Sequence, residues 1–397
     1  MKHQKKSDKK TSSYFAETID HVGEIAIQYG FTAIKPPAIT NAVSAKAKQL
    51  RDYDIRQDTD EKVALFEWYM AENMQNQPQP LLFFFKNPLP GAIHKKKPSE
   101  ESYGLEIIGS GRSTGEALII KTTLAILSDL GYKDVCVDIN SIGDRESISR
   151  FDRELSTYIR KHANEIPAKL RDALRKNPYI ALTSESLEIG DIPASFPQSV
   201  ATLSEPARAH FKEVLEYLEA FDVPYKIKPT ILSNKLFAAF TCFEIRELQN
   251  KKSGEEGALL AYGYRYNHLG RKLGAKRDIP SVGATITVKK NDVPKKKIIV
   301  SKIKKPRFYL IQLGNTAKLK ALNVIELLRK NKISVYHSLT KDKIVGQLSG
   351  ADYTHASHVL IIGQKEAIEN TVVVRDCATR EQETVPVENL AEFLKKI

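Results

Sequence analysis

The chain has 397 residues, of which 42% are hydrophobic and 27% charged, and these values suit a globular protein of two or three domains. Three widely separated cysteines without a CxxC pair argue against a zinc site or a disulfide framework, and they favour the cytoplasm. There is no apolar run of membrane-spanning length, so no membrane partner is expected, while the net charge of +13 favours a polyanionic partner.

Most of the positive charge lies in two segments. Residues 1–12 hold five lysines against Asp8, and residues 289–307 hold eight lysines and Arg307 against Asp292, so the rest of the chain is almost neutral. Basic segments attract polyanions such as RNA, although a tail can also serve solubility alone. We predict a disordered basic tail over 1–12 and a self-repelling, extended linker over 289–306. The RNA-binding candidates in this linker are Lys295, Lys296 and Lys297.

The predicted elements before residue 100 are a helix, a connection from helix to strand and a strand. An amphipathic helix is predicted to end near Gly30, and residues 29–40 read as a connection from helix to strand; residues 41–80 are polar and weakly patterned. Residues 81–85 form a strongly β-prone run. The loop that follows carries three further RNA-binding candidates, which are Lys95, Lys96 and Lys97.

The stretch from 103 to 144 organises the rest of the chain. A β-prone run holds one carboxylate, Glu106, and ends at Gly109. A helix begins near Ser113, continues with apolar residues at helical spacing and stops at Gly131, before a second apolar strand over 135–139. An acid inside a strand is the feature to explain, and an edge strand with Glu106 facing water is the plainest interpretation.

The remaining residues divide into three parts. Residues 144–221 are largely helical, residues 223–288 return to strands, and the region after the linker alternates strands with helices. This alternation predicts a small α/β domain with a mostly parallel sheet. Its predicted strands lie at 308–313, 334–337, 359–363 and 371–376.

Several blocks resemble the histidyl-tRNA synthetase family, which has the class II synthetase fold. They are Leu-Glu-Ile-Ile-Gly-Ser at 105–110, Ile-Asn-Ser-Ile-Gly-Asp at 139–144, Phe-Glu-Ile at 243–245 and the segment 262–269. The resemblance implies an α+β catalytic fold, an antiparallel sheet with helices, over 13–288. A helical insertion falls at about 145–222, and an anticodon-binding-like α/β domain over 307–397. Residues 29–40 resemble the family's dimerisation motif, so a homodimer is expected.

The resemblance also implies roles for individual residues. Glu106 and Tyr266 would face the substrate imidazole, with Arg265 beside them, and this pair could still hold histidine weakly. Lys86 and Lys290 are the cations nearest to the family's ATP-binding arginines. No metal site and no certain cofactor are expected; ATP and Mg²⁺ would be required only by an active enzyme.

Other family positions differ. Three arginine positions read Pro88, Ser233 and Lys290, and the glutamine position reads Ser102. The Leu-Arg-Pro-Glu segment that receives the substrate's amino group has no visible counterpart in 41–80. Losing one transition-state donor typically costs about a hundredfold in rate, so losing three arginines and the acid segment should abolish ordinary adenylation, and we assign no catalytic residue.

Three functions follow from these observations. The first is a divergent, catalytically impaired paralogue that binds tRNA or another RNA. The second is an active histidine–tRNA ligase with unusual catalytic residues. The third is a histidine-sensing regulatory subunit of the ATP phosphoribosyltransferase type, although such subunits usually lack the C-terminal domain.

Overall fold

The computed structural model describes residues 14–51, 58–87, 99–164, 174, 179, 196–248, 257–339, 341 and 343–397. The predicted tail over 1–12 and Lys95, Lys96 and Lys97 lie outside these residues, as does Pro88. The description below concerns the described residues alone.

The larger part of the chain is built on a sheet of eight strands among the described residues. Their spatial order is β2-β3-β4-β9-β8-β7-β5-β6. Neighbouring strands are antiparallel except for the pairs β2–β3 and β5–β6 at the two edges. This confirms the expected antiparallel sheet. The strands are β2 (Thr32–Ala33), β3 (Leu81–Asn87), β4 (Glu100–Ile108), β5 (Val135–Gly143), β6 (Tyr225–Ile227), β7 (Phe240–Glu247), β8 (Leu259–Arg265) and β9 (Ser281–Lys289).

Helices cover one face of this sheet with a continuous apolar core. Along β4 the side chains of Tyr103, Leu105 and Ile107 point to this face, because successive residues of a strand alternate between faces. The helices α1 (His21–Gln28), α4 (Thr114–Asp129) and α6 (Glu205–Ala220) pack here. The predicted helix start near Ser113 and stop at Gly131 are confirmed, with Gly131 in the left-handed region at φ 98°.

A second core lies on the opposite face, where Ser102, Gly104 and Glu106 of β4 point. The helix α3 (Thr59–Ala71) lies here, and Phe66 and Tyr69 of α3 join Phe83 and Phe85 of β3 in this core. Further helices are α2 (Asn41–Leu50), α5 (Arg145–Lys161), which opens the predicted helical insertion, and α7 (Leu269–Lys272). Because β4 is internal to the sheet, the edge-strand interpretation of Glu106 is wrong.

The segment over 289–306 is attached to the body of the protein. It contains the strand β10 (Ile298–Ile299), which pairs antiparallel with β1 (Thr18–Ile19), and Val300 N–H donates to the Glu17 carbonyl at 3.0 Å. The expected self-repelling, extended connector is therefore not what forms. Strand pairing fixes the backbone, while the lysine side chains from 295 to 297 remain exposed.

The C-terminal part forms a second sheet of five strands in the order β12-β11-β13-β14-β15. The first three are parallel, but β13, β14 and β15 are antiparallel, so the sheet is mixed rather than mostly parallel. A tight turn between β14 and β15 permits only antiparallel pairing. The elements are β11 (Phe308–Gln312), α8 (Asn315–Lys330), β12 (Val335–His337), α9 (Ile344–Thr354), β13 (His358–Ile362), α10 (Gln364–Glu369), β14 (Thr371–Asp376), β15 (Gln382–Pro386) and α11 (Val387–Lys396).

Candidate functional site

Glu106 and Tyr266 meet beneath α3. The Tyr266 hydroxyl donates a hydrogen bond to the Glu106 carboxylate, and both residues are buried, at 2% and 0% exposure. The sheet makes this contact possible, because β4 and β8 flank β9 and Gly283 of β9 lies directly opposite Glu106. A Cβ at position 283 would overlap the Glu106 carboxylate, so only glycine leaves room for this acid. The predicted proximity of the two side chains is confirmed.

The same carboxylate has a second partner that the sequence did not reveal. Lys62 of α3 donates to Glu106, and its ammonium nitrogen lies 3.9 Å from an Asp58 carboxylate oxygen. Asp58 precedes the helix by one residue, and Lys62 follows four residues later on the same helical side. The two side chains are 2% and 3% exposed, so this is a charged group enclosed in protein.

Two aromatic rings complete the enclosure. The Lys62 nitrogen lies 4.8 Å from the centre of the Tyr266 ring and 5.5 Å from that of Tyr264. The Tyr264 hydroxyl donates to Asp58 at 2.8 Å. Burial, and then the Asp58 carboxylate, raises the pKa of Tyr264 well above its ordinary value, so the hydroxyl keeps its proton.

The charge on Lys62 is retained. Burial alone would lower the pKa of Lys62, but the Glu106 and Asp58 carboxylates outweigh it and hold this pKa above its ordinary value. Lys62 is therefore a cation at neutral pH. Its charge and the Tyr266 hydroxyl both act on Glu106, the acid that the family resemblance assigned to the substrate.

Arg265 is adjacent to Tyr266 in sequence, but its side chain points to the opposite face of the sheet. There the guanidinium donates to both Glu116 oxygens and to the Ser110 and Arg112 carbonyls, and its exposure is 0%. The structure therefore does not bring Arg265 together with Glu106 and Tyr266, because consecutive strand residues face opposite ways. A substrate-binding role for Arg265 stays a prediction.

The two lysines assigned to ATP, Lys86 and Lys290, also lie away from Glu106. Lys86 stacks over Tyr103 at 5.5 Å and pairs with Glu101 at 3.1 Å, which places it on the helix-covered face. Lys290 follows β9 and lies 4.0 Å from the other oxygen of Glu101. Lys86 and Lys297 border one cavity of about 290 Å³, so the structure brings an ATP candidate and an RNA candidate together.

A cavity of about 840 Å³ opens beyond the end of β4. Its lining includes Tyr69, Gln79, Gly109 and Arg277, but neither Glu106 nor Tyr266. The described part of the chain contains no cluster of three or more histidine, cysteine or acidic side chains that could hold a metal ion. Within the same residues no helix is both long and apolar enough to cross a membrane.

Asp58 and Lys62 are the site residues that sequence reasoning missed. A signal was present, because two opposite charges four residues apart stand on the side of α3 that carries Phe66 and Tyr69. It was not decisive, since the same spacing on a helix usually marks a solvent-exposed ion pair. Only the position of α3 over β4 shows that this pair is buried.

Comparison with known proteins shows similarity in sequence. A family model for the anticodon binding domain matches residues 307–397. A histidine–tRNA ligase of Halothermothrix orenii is 29% identical over 337 residues, which cover 83% of this chain and 78% of the relative. The corresponding ligase of Chlorobium phaeobacteroides is 27% identical and covers 77% and 70%. The chain is thus similar to histidine–tRNA ligases over about four fifths of its length, and its C-terminal part matches their anticodon binding domain.

Solved structures of the family agree with this fold. The apo histidyl-tRNA synthetase of S. aureus superposes with a TM-score of 0.52 at 21% identity, covering 94% of this chain and 93% of the other. The expected class II fold with a C-terminal anticodon-binding domain is thereby confirmed. This similarity does not by itself assign a role to Glu106, whose carboxylate is bound by Lys62 and Tyr266.

Proposed function

We propose that this chain is a histidyl-tRNA synthetase-like protein that binds tRNA or another RNA and does not carry out ordinary histidine adenylation. One observation carries this proposal. The Glu106 carboxylate, which would face the substrate imidazole in the family, already accepts hydrogen bonds from Lys62 and Tyr266 in a closed environment. A substrate would have to displace a buried ion pair before it could reach this acid.

The energetic cost of that displacement is high. Removing one partner of a buried ion pair leaves an uncompensated charge, which typically costs about 3–5 kcal/mol. Free histidine would have to supply this energy, because Lys62 is covalently tethered to α3 and competes as an intramolecular ligand. Asp58 is the nearest candidate for the acid that would receive a substrate amino group, but its carboxylate lies beside the same lysine.

The positions aligned with ATP-binding arginines support the same conclusion. Adenylation requires cations on the phosphates, placed on the face where the amino acid binds. Lys86 and Lys290 instead meet Glu101 on the helix-covered side, and Ser233 is a buried neutral residue. These residues do not fit a bent ATP next to Glu106, so no step is assigned to ATP or Mg²⁺.

RNA binding rests on the basic segment and on the C-terminal domain. The side chains of Lys295, Lys296 and Lys297 are exposed, on a backbone that β10 attaches to the body of the protein. Phosphates bind such exposed lysines electrostatically without reading sequence. We infer that tRNA or another RNA is the partner, that the protein is a homodimer and that it works in the cytoplasm.

Histidine-dependent ATP–pyrophosphate exchange tests this function. The Halothermothrix orenii ligase, assayed in parallel, serves as the positive control for reagents and conditions. This chain is expected to show exchange no faster than a blank without histidine, while still binding tRNA in a gel-shift assay. Exchange at a rate comparable to the control would overturn the proposal and establish an active ligase.

A further inference from the structure

We propose that Asp58, Glu106, Tyr264 and Tyr266 form a cage for an organic monocation, and that Lys62 is its built-in occupant. The proposal deepens the proposed function, and it rests on that function only for the location of the pocket. The four cage residues are each 2% exposed or less. Their chemistry defines the ligand class, which is a primary alkylammonium ion.

The cage has two acidic and two aromatic walls. Glu106 accepts directly from the Lys62 ammonium, and Asp58 lies 3.9 Å from it. The two tyrosine rings present their faces to the same nitrogen, at 4.8 and 5.5 Å from the ring centres. Aromatic faces attract cations, and the attraction strengthens when water is excluded. An ammonium group thus gains from all four walls at once.

Lys62 fills the cage because it is covalently part of α3, which lies over the cage. Asp58 immediately precedes α3 and Lys62 lies in its first turn on the same side, so the start of the helix places the lysine beside one wall of its own cage. The opposite wall, Glu106, comes from β4, where Gly283 leaves room for the carboxylate. Truncation of Lys62 to alanine would keep all four walls and vacate the space of an aminopropyl group, which is Cγ, Cδ, Cε and the ammonium. Propylammonium carries the ammonium and all three lost carbons.

The experiment measures the thermal unfolding of Lys62→Ala in propylammonium chloride against the same concentration of sodium chloride. A ligand that binds only the folded state raises its melting temperature, on the order of 2–4 °C for each kcal/mol of binding free energy. We expect a saturable rise for Lys62→Ala and none for the wild type. Tetramethylammonium, which has no N–H donor and is bulkier at nitrogen, should give no rise.

Two further variants distinguish binding in the cage from an effect of propylammonium on any lysine-to-alanine variant. Lys235→Ala removes a lysine that lies 4.7 Å from the Tyr179 ring and 3.9 Å from Asp152, but whose side chain is 25% exposed, so no rescue is expected. Lys62→Ala combined with Glu106→Gln removes an acidic wall and should lose the rescue. If Lys62→Ala does not stay folded in sodium chloride, the yield of refolded protein in the two salts becomes the readout.

The outcomes are distinct. Equal melting temperatures, or equal refolding yields, in propylammonium and sodium chloride overturn the cage. That result leaves the proposed function standing if the wild type still lacks pyrophosphate exchange. Conversely, exchange by the wild type overturns the proposed function whether or not Lys62→Ala is rescued.

Discussion

The Arg265 guanidinium and the Glu116 carboxylate form a two-point ion pair in which neither side chain is exposed to solvent. His210 approaches the same carboxylate at 2.7 Å from α6. Burial alone would raise the pKa of Glu116, but Arg265 and His210 outweigh it and lower this pKa to about 2. The pair joins the end of β8 to the first turn of α4, so it holds the sheet against the helices that cover it.

Glu116→Gln should make the free energy of unfolding much less dependent on pH in acid. The folded-state pKa of Glu116 lies below its ordinary 4.5, so its stabilising contribution is full above pH 4.5 and is lost as the pH falls towards about 2. At pH 7 the variant should lose about 3 kcal/mol of unfolding free energy. Urea unfolding at pH 7, 4.5 and 3 measures both effects. Glu146→Gln, at an exposed pair with Arg150, should change stability by less than about 0.5 kcal/mol; equal losses in the two variants would contradict this account.

The sequence was sufficient to predict the contact between Glu106 and Tyr266, but not the contact between Glu106 and Lys62. Both residues lie in β-prone runs at positions shared with a known family, and strand alternation then places them on one face. Lys62 lies in a polar, weakly patterned region, and its burial depends on the packing of α3 across β4. Periodicity within one element cannot report such packing.

Arg265 and β15 show two other limits of sequence reasoning. The family resemblance placed Arg265 beside Tyr266, but neighbouring strand residues alternate, and the partner that fixes Arg265 is distant in sequence. The strand β15 begins with Gln382, Glu383 and Thr384, which are exposed, so no apolar run marks it. Backbone pairing with β14 forms this edge strand without a hydrophobic signal.

His337 should make the contact between α1 and the C-terminal domain sensitive to mild acid. Its ring packs against Gly30, and burial lowers the pKa of His337 to about 4, although a backbone hydrogen bond with Tyr29 opposes this. Stability from the neutral ring is full above pH 6.5 and is lost as the pH falls towards about 4. At pH 5 the loss should be about 2 kcal/mol.

Hydrogen exchange of the amides in α1 and β12, corrected for intrinsic rates, measures this loss between pH 7 and 5. His337→Phe removes the titrating group and should make the corrected protection independent of pH. His355→Asn, at an exposed left-handed position that asparagine tolerates, should behave like the wild type. Unchanged protection of the wild type at pH 5 would count against the buried neutral ring.

Replacing Lys295, Lys296 and Lys297 by alanine should weaken binding to all RNAs alike. Each phosphate neutralised contributes about −0.7 to −0.9 to the slope of log affinity against log salt, so the triple variant should flatten that slope by roughly two units. A control with alanine at Lys161, Lys212 and Lys365 has the same net charge but removes scattered exposed lysines. If the two triple variants have the same slope, the basic segment has no specific role in RNA binding.

Sedimentation should show a homodimer. Residues 29–40 resemble the family's dimerisation motif, which pairs identical surfaces of two copies across a two-fold axis. Equilibrium sedimentation at micromolar concentration should give twice the chain mass of 44.6 kDa. A single species at the chain mass would refute the dimer.

Titration calorimetry of the wild-type chain with L-histidine tests most directly whether Lys62 closes the Glu106 site. The Halothermothrix orenii ligase provides the matched positive control under the same conditions. We predict no saturable heat with this chain up to millimolar histidine, where a dissociation constant of about 1 mM corresponds to roughly −4.1 kcal/mol. A saturable isotherm with one histidine per chain and a micromolar dissociation constant would show that the substrate displaces Lys62, and it would contradict the account.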